Sequence, residues 1–154
     1  MISPETFRRY PFFAGLTDSQ LKALSTLTKE VTYEKGATIF EECDQADRMF
    51  LLVEGSVDLY YRSQEAFHPT TVKEFSVGEI NPGEVFGTSS VIEPYELNAT
   101  ARTSNTSRVL VIDSLELRKI MEADLDLTNK LYLQVIKTLK ERMIDLRVQL
   151  AAAR

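Results

Sequence analysis

The segment 81–101 constrains the fold of this chain most, because it combines two turn signals with a cluster of small residues. It opens with Asn-Pro-Gly at 81–83, and Gly87 follows directly ahead of three hydroxylated residues at 88–90. Proline fixes φ at one corner of a turn, and glycine accepts a positive φ at the next. Glycine followed by small side chains lets backbone N–H groups converge into an anion-binding loop. The same residues also suit an ordinary polar loop.

Apolar residues follow a helical spacing before residue 29. From 29 to 113 they occur instead in short stretches in which every second residue is apolar. Turn signals that contain glycine separate these stretches, as at 35–36 and 54–55. Many short strands joined by such turns are typical of an antiparallel sandwich or barrel. The chain is therefore predicted to be mainly β, with an N-terminal helical segment at 1–28 and C-terminal helices at 114–154.

Helix start signals are found in both flanking segments. Thr17 is followed three residues later by Gln20, which is the pattern of a capping box. Ser114 is predicted to be the N-cap of a helix over 115–123. A longer helix is predicted from about Asp126 to the end of the sequence.

The long helix carries an apolar seam in which the residues alternate in steps of four and three. After Leu125 and the polar position Asn129, the seam consists of Tyr132, Ile136, Leu139, Met143, Leu146 and Leu150. Such a seam pairs with a second copy in a parallel coiled coil or packs onto the chain's own barrel, and we expect a homodimer. Arg142 and Arg147 would face each other in that dimer, which opposes pairing by a few tenths of a kcal/mol.

The composition excludes several function classes. The single histidine, His68, cannot supply the two or three imidazoles that a jelly-roll metalloenzyme uses, so no metal site is expected. A Cys–His nucleophilic pair is not expected either, because Cys43 and His68 fall in separate polar loops. Acid/base catalysis needs a pair of titratable groups positioned in a pocket, and the carboxylates here cluster in solvated loops. We therefore predict no catalytic residues and no enzymatic activity.

Charge and hydropathy indicate where the protein works. The net charge of −5 argues against broad binding to nucleic acid. One cysteine allows no internal disulfide and fits a reducing compartment. The sequence has no signal-peptide pattern and no apolar run of the length needed to cross a membrane. We expect a cytoplasmic protein that binds neither membranes nor, by itself, nucleic acid.

The segment 81–101 resembles the phosphate-binding cassette of the cyclic nucleotide-binding domain family. That cassette reads Phe-Gly-Glu-Leu-Ala-Leu, four residues, Pro-Arg, two small residues and Thr. Phe86 and Gly87 match its beginning, Val91 fits its apolar position, and the run at 98–100 closes the pattern without a gap. The glutamate that binds ribose in the family falls on Thr88, and the arginine that binds phosphate falls on Leu97.

Other parts of the chain carry the same resemblance. Phe13-x-Gly15-Leu16 looks like the family's entry segment, and the run from Phe50 to Val57 is similar to its central hairpin. Cys43 stands where the family's Glu-Gly-Asp turn has glycine. The resemblance implies an antiparallel jelly-roll barrel, the double-stranded β-helix, with N-terminal helices and a long C-terminal helix. In regulators of the catabolite-activator type that helix covers the ligand pocket and forms the dimer.

The resemblance also implies a ligand site between the cassette and the long helix. Its predicted residues are Phe86, Gly87, Thr88, Ser89, Ser90, Leu97, Asn98, Ala99, Thr100 and Arg142. Arg142 could replace the missing cassette arginine, although its place at the seam edge favours a solvated or interface role.

We predict a non-enzymatic, ligand-sensing regulatory module that binds cyclic AMP, cyclic GMP or another small anion weakly or in an altered way. The alternatives are a ligand-free dimerisation or protein-interaction module, and the sensory half of a transcription regulator without its DNA-binding domain.

Overall fold

The structure, a computed structural model, describes residues 2–65 and 68–153. Within these ranges it describes the side chains of all residues except those at 64–72. Its helices are α1 (Pro4–Arg8), α2 (Asp18–Thr26), α3 (Ser114–Ala123) and α4 (Leu125–Ala152). Its strands are β1 (Thr28–Tyr33), β2 (Thr38–Phe40), β3 (Arg48–Glu54), β4 (Val57–Glu65), β5 (His68–Ile80), β6 (Val85–Phe86), β7 (Thr100–Thr103) and β8 (Ser107–Asp113). His68, predicted to lie in a polar loop, instead begins β5, and it pairs with Glu65 at the end of β4. Residues 66–67 lie outside the described part.

The strands form two antiparallel four-stranded sheets, in the orders β1-β8-β3-β6 and β2-β7-β4-β5. One buried cluster joins the two inner faces, with Leu52 and Val109 from the first sheet and Leu59 and Ala101 from the second. Helices pack outside the first sheet. The predicted fold, a mainly β jelly roll with N-terminal helices and a long C-terminal helix, is confirmed.

The apolar run in β3 serves two cores at once. Side chains alternate between the two faces of a strand. Met49 and Leu51 therefore enter the cluster shared with the helices, whereas Phe50 and Leu52 enter the cluster between the sheets. A strand buried on both faces reads as a continuous apolar run, which explains the lack of alternation in this part of the sequence.

Two predicted helix caps had different outcomes. The capping box is confirmed, since the Thr17 hydroxyl accepts from the Gln20 amide and the Gln20 side chain accepts from the Thr17 amide. The prediction that Ser114 caps α3 is wrong. Asp113 is the N-cap, and its carboxylate accepts from the amides of Leu115 and Glu116. Ser114 is fully buried, so its hydroxyl is used inside the protein.

The long helix α4 packs on the rest of the chain through a stripe other than the predicted seam. Leu127, Leu131 and Val135, spaced four residues apart, are buried in the cluster with the other helices. The seam lies to one side of this stripe, and Ile136 and Leu150 in it are 61% and 73% exposed. The seam therefore does not pack onto the barrel as a unit. No helix in the described part of the chain has the length and apolar character needed to span a bilayer.

Candidate ligand site

A cavity of about 670 Å³ lies between the cassette, the second sheet and α4. This volume is in the range of roughly 300–1,000 Å³ that small-molecule sites occupy. Most of its wall is apolar, from Phe40, Leu59, Tyr61, Val77, Phe86, Ile92, Pro94, Leu97, Ala99, Leu139, Met143 and Leu146. The polar and charged part of the wall comes from Thr88, Ser89, Glu93, Glu96, Asn98 and Arg142, with Gly87 beside them.

Gly87 sets the direction of the chain at the cavity wall. It has φ +72°, a left-handed conformation that glycine adopts without steric cost. A Cβ atom here would lie 2.9 Å from Cδ2 of Phe50 and 3.2 Å from the Arg48 carbonyl, so a larger residue would also clash. A single 3-10 turn, Thr88–Val91, follows directly. Glycine is therefore required both for the turn and for the close approach to β3.

Eight of the ten predicted ligand residues line this cavity: Phe86, Gly87, Thr88, Ser89, Leu97, Asn98, Ala99 and Arg142. The other two, Ser90 and Thr100, are fully buried and their hydroxyls have partners elsewhere. The Ser90 hydroxyl lies 2.7 Å from that of Ser114, and the Thr100 hydroxyl accepts from the Glu42 amide at 3.0 Å. The Ser90 amide donates to the Gly87 carbonyl, so it is also occupied. That the cavity residues bind a ligand stays a prediction.

The position where the family has its phosphate-binding arginine is apolar and firmly held. Leu97 is 6% exposed, and its side chain forms part of the cavity wall. Its amide donates to the Asp44 carbonyl at 2.9 Å, and its carbonyl accepts from the Cys43 amide at 2.8 Å. Cys43 has φ 74°, the conformation for which the family uses glycine. The backbone of the cassette is thus formed as in the family, but Leu97 stands in place of the phosphate-binding arginine.

Arg118 on α3 holds the cassette in place, although no pattern in the sequence indicates this role. Its guanidinium donates to the carbonyls of Ser90 at 2.7 Å and Ala46 at 2.5 Å. The same group lies over the Tyr95 ring, 3.6 Å from the ring centroid. These partners are 28 and 72 residues away along the chain, so residue spacing could not reveal the contact.

Arg142 is a cation at the cavity wall. It lies seven residues after Val135, about two helical turns, and therefore continues the stripe that faces the barrel. Its guanidinium donates to the Val85 carbonyl. Burial lowers the pKa of Arg142, and the carboxylates of Glu84, Glu141 and Asp145 partly oppose that shift. Arg142 is thus half-buried against the barrel rather than fully solvated, and a role at a dimer interface or toward a ligand stays a prediction.

The seam and the cavity share residues. Leu139, Met143 and Leu146 belong to the predicted seam and also line the cavity, although each is still about half exposed in the single chain. The Tyr132 hydroxyl donates to the Val91 carbonyl at 3.1 Å, which ties the start of the seam to the cassette. A change in the cavity contents would therefore reach the seam directly.

Two carboxylates of the cavity wall, those of Glu93 and Glu96, are both exposed. In the described part of the chain, no three side chains of the His, Cys, Asp or Glu type are grouped so that they could hold a metal ion.

Comparison with known proteins extends these observations. A family model described as the cyclic nucleotide-binding domain matches residues 30–124, more than half of the chain. Over 114 residues the chain is 25% identical to the CRP-like cAMP-activated global transcriptional regulator of Mycobacterium tuberculosis, covering 74% of this chain and 48% of the regulator. The chain thus spans about half the length of this relative.

Two solved structures are also similar. A Geobacter metallireducens protein, named as a cyclic nucleotide-binding protein, has 37% identity and a TM-score of 0.82, with 93% of this chain and 99% of that chain covered. The N-terminal domain of a transcriptional regulator from Streptomyces coelicolor A3(2) has 26% identity and a TM-score of 0.66, with 91% and 94% covered.

Proposed function

This chain belongs to the cyclic nucleotide-binding domain family, and we propose that it is a non-enzymatic regulatory module that senses a small ligand in the cavity under α4. We propose further that it binds cyclic nucleotides only weakly. The feature that most strongly supports this is an open cavity whose wall has Leu97 and Thr88 where the family has its arginine and glutamate.

The expected weakness follows from the hydrogen bonds that these two residues cannot make. In the family the glutamate binds a ribose hydroxyl and the arginine pairs with the cyclic phosphate. A hydrogen bond to a charged group contributes roughly 1.5–3 kcal/mol, so losing both costs roughly 3–6 kcal/mol, or about 10²- to 10⁴-fold in affinity. We expect dissociation constants of roughly hundreds of micromolar or weaker for cyclic AMP and cyclic GMP.

Isothermal titration of the wild type and of the double variant Thr88→Glu, Leu97→Arg tests this proposal. The wild type should show weak binding, and the variant should recover a large part of the affinity because the cassette frame and the cavity are in place. Binding by the wild type at low micromolar concentration would contradict the proposal. No gain in the variant would favour a ligand-free interaction module instead.

A homodimer through α4 would transmit the signal. The seam from Tyr132 to Leu150 remains accessible in the single chain, and three of its residues also line the cavity. Exposed apolar stripes of this length usually mark an interaction surface. A ligand that moves Leu139, Met143 or Leu146 would alter the seam and hence the geometry or affinity of pairing.

A second candidate is the sensory part of a transcription regulator. The similar Mycobacterium tuberculosis protein is named as one and is about twice as long, and the similar Streptomyces coelicolor structure is the N-terminal domain of another. Mass spectrometry of the natural protein in its host distinguishes the candidates. A product about twice the length of this chain would favour the regulator, and one of this length would favour a separate module.

We also propose that the protein catalyses no reaction. Turnover of a phosphoester that depends on a metal ion and is lost on changing Ser89 or Thr100 would overturn it. The expected result is no turnover above the buffer control with cyclic AMP or cyclic GMP as substrate.

A further inference from the structure

The lining of the cavity indicates which class of ligand it takes. We infer that the cavity binds an amphipathic monoanion, a small molecule with an apolar body and one acidic head such as a carboxylate. This inference rests on the proposed ligand-sensing function and specifies its ligand.

The apolar body follows from the residues that face the cavity. Apolar residues make up most of the wall and come from all three sides: Leu97 and Phe86 from the cassette side, Leu59 and Val77 from the second sheet, and Met143 from α4. A ribose or a phosphate against such a wall would lose hydrogen bonds to water without gaining new ones. An aliphatic or aromatic group would instead be stabilised by removal from water.

The acidic head follows from Arg142, which is the one Lys or Arg among the described residues of the cavity wall. A guanidinium has five N–H groups in a planar fork that fits a carboxylate with two parallel hydrogen bonds. In the described part of the chain its hydrogen bond goes to the Val85 carbonyl, and no carboxylate lies within 4.0 Å to form an ion pair with it. A partly buried cation without a close counterion is costly, and an incoming anion would offset that cost.

The limit to one negative charge follows from the surrounding carboxylates. Glu93 and Glu96 line the cavity. Glu84, Glu141 and Asp145 line a small neighbouring cavity together with Arg142 and act on its guanidinium through space. A second acidic group on the ligand would meet these charges without another cation to balance it. Thr88, Ser89 and Asn98 can add only neutral hydrogen bonds.

Isothermal titration with matched acids and amides tests the inference. The probes are octanoate and 2-naphthylacetate, each compared with its neutral primary amide, which has nearly the same shape. The acids should bind at least about tenfold tighter than their amides, because the charge-assisted pair with Arg142 is available only to them. Arg142→Met should bring this ratio to about one without weakening the amides. Arg147→Met, an exposed arginine of the same helix, should leave it unchanged.

Several results would overturn the inference. Equal binding of acid and amide to the wild type would mean that the ligand is neutral, and selectivity that survives in Arg142→Met would assign the head group to another residue. If Arg142→Met does not give the wild-type circular dichroism, Arg142→Lys replaces it and should retain part of the selectivity.

The same probes separate this inference from the proposed function. Failure of all four probes, together with a gain of cyclic AMP binding in Thr88→Glu, Leu97→Arg, would reject the inference and keep the sensing module. Failure of the probes and of cyclic AMP with both proteins would reject both.

Discussion

Replacing Ile136 with glutamate is expected to dissociate the proposed homodimer. Ile136 lies in the seam of α4 and is 61% exposed in the single chain, but it does not line the cavity. Full burial of an isoleucine side chain contributes about 1.5–3 kcal/mol, so burial of the exposed part contributes about 1–2 kcal/mol per copy. Two copies lose about 2–4 kcal/mol, which weakens dimerisation by about 30- to 1,000-fold before the repulsion of two glutamates is counted.

Sedimentation equilibrium over a range of micromolar concentrations measures this change. Ile144→Glu is the matched control, because Ile144 is also exposed on α4 but lies off the seam, about a third of a turn from Met143. Leu139→Glu should also dissociate the dimer, yet it changes the cavity wall as well and is less specific. A wild-type chain that is monomeric at high micromolar concentration would rule out the proposed homodimer. If Ile144→Glu dissociates the dimer as strongly as Ile136→Glu does, the dimer does not form through the seam.

Changes at three further residues test the cassette frame by urea denaturation and circular dichroism. Gly87→Ala should lower the free energy of unfolding by about 2–4 kcal/mol, because the alanine would adopt a left-handed φ and its Cβ would clash with Phe50. A loss below about 1 kcal/mol would contradict the tight packing of Gly87 against β3. Cys43→Gly should raise the free energy of unfolding by about 1 kcal/mol, because it removes the cost of holding a Cβ at a positive φ. Cys43→Val should lower it, because a β-branched side chain fits that conformation worse than cysteine does, and equal effects of the two changes would argue against a positive φ. Arg118→Met should cost about 3 kcal/mol through two charged hydrogen bonds and the contact with Tyr95, and a neutral result would show that α3 does not hold the cassette.

Local patterns in the sequence predict those parts of the fold that depend on local physics. The capping box at Thr17 and Gln20 needs only neighbouring residues, so it is visible in the sequence. The turn at Cys43 could be recognised because the family has glycine at this place, and the positive φ there agrees. Most strands follow from their period of two, but β3 and β8 are buried on both faces, which hides the alternation.

Contacts between distant residues explain what the sequence does not predict. Ser114 resembles a helix cap, but its hydroxyl meets that of Ser90, 24 residues earlier, and Asp113 caps the helix instead. The sequence places Arg142 at the edge of the seam, but it does not show which side of α4 meets the barrel. Only the packing of Leu127 and its stripe decides that orientation.

Methyl NMR with labelled methionine tests most directly whether the cavity under α4 is a ligand site that binds cyclic nucleotides only weakly. The chain has four methionines, of which Met143 lines the cavity while Met49 and Met121 lie in the core shared with the helices. On titration with cyclic AMP, we expect the Met143 resonance to shift only at roughly hundreds of micromolar or above, and the Met49 and Met121 resonances to stay unchanged. Saturation of the Met143 shift at low micromolar cyclic AMP would show that the cavity binds the nucleotide tightly, and a response of Met49 and Met121 without Met143 would place the ligand elsewhere.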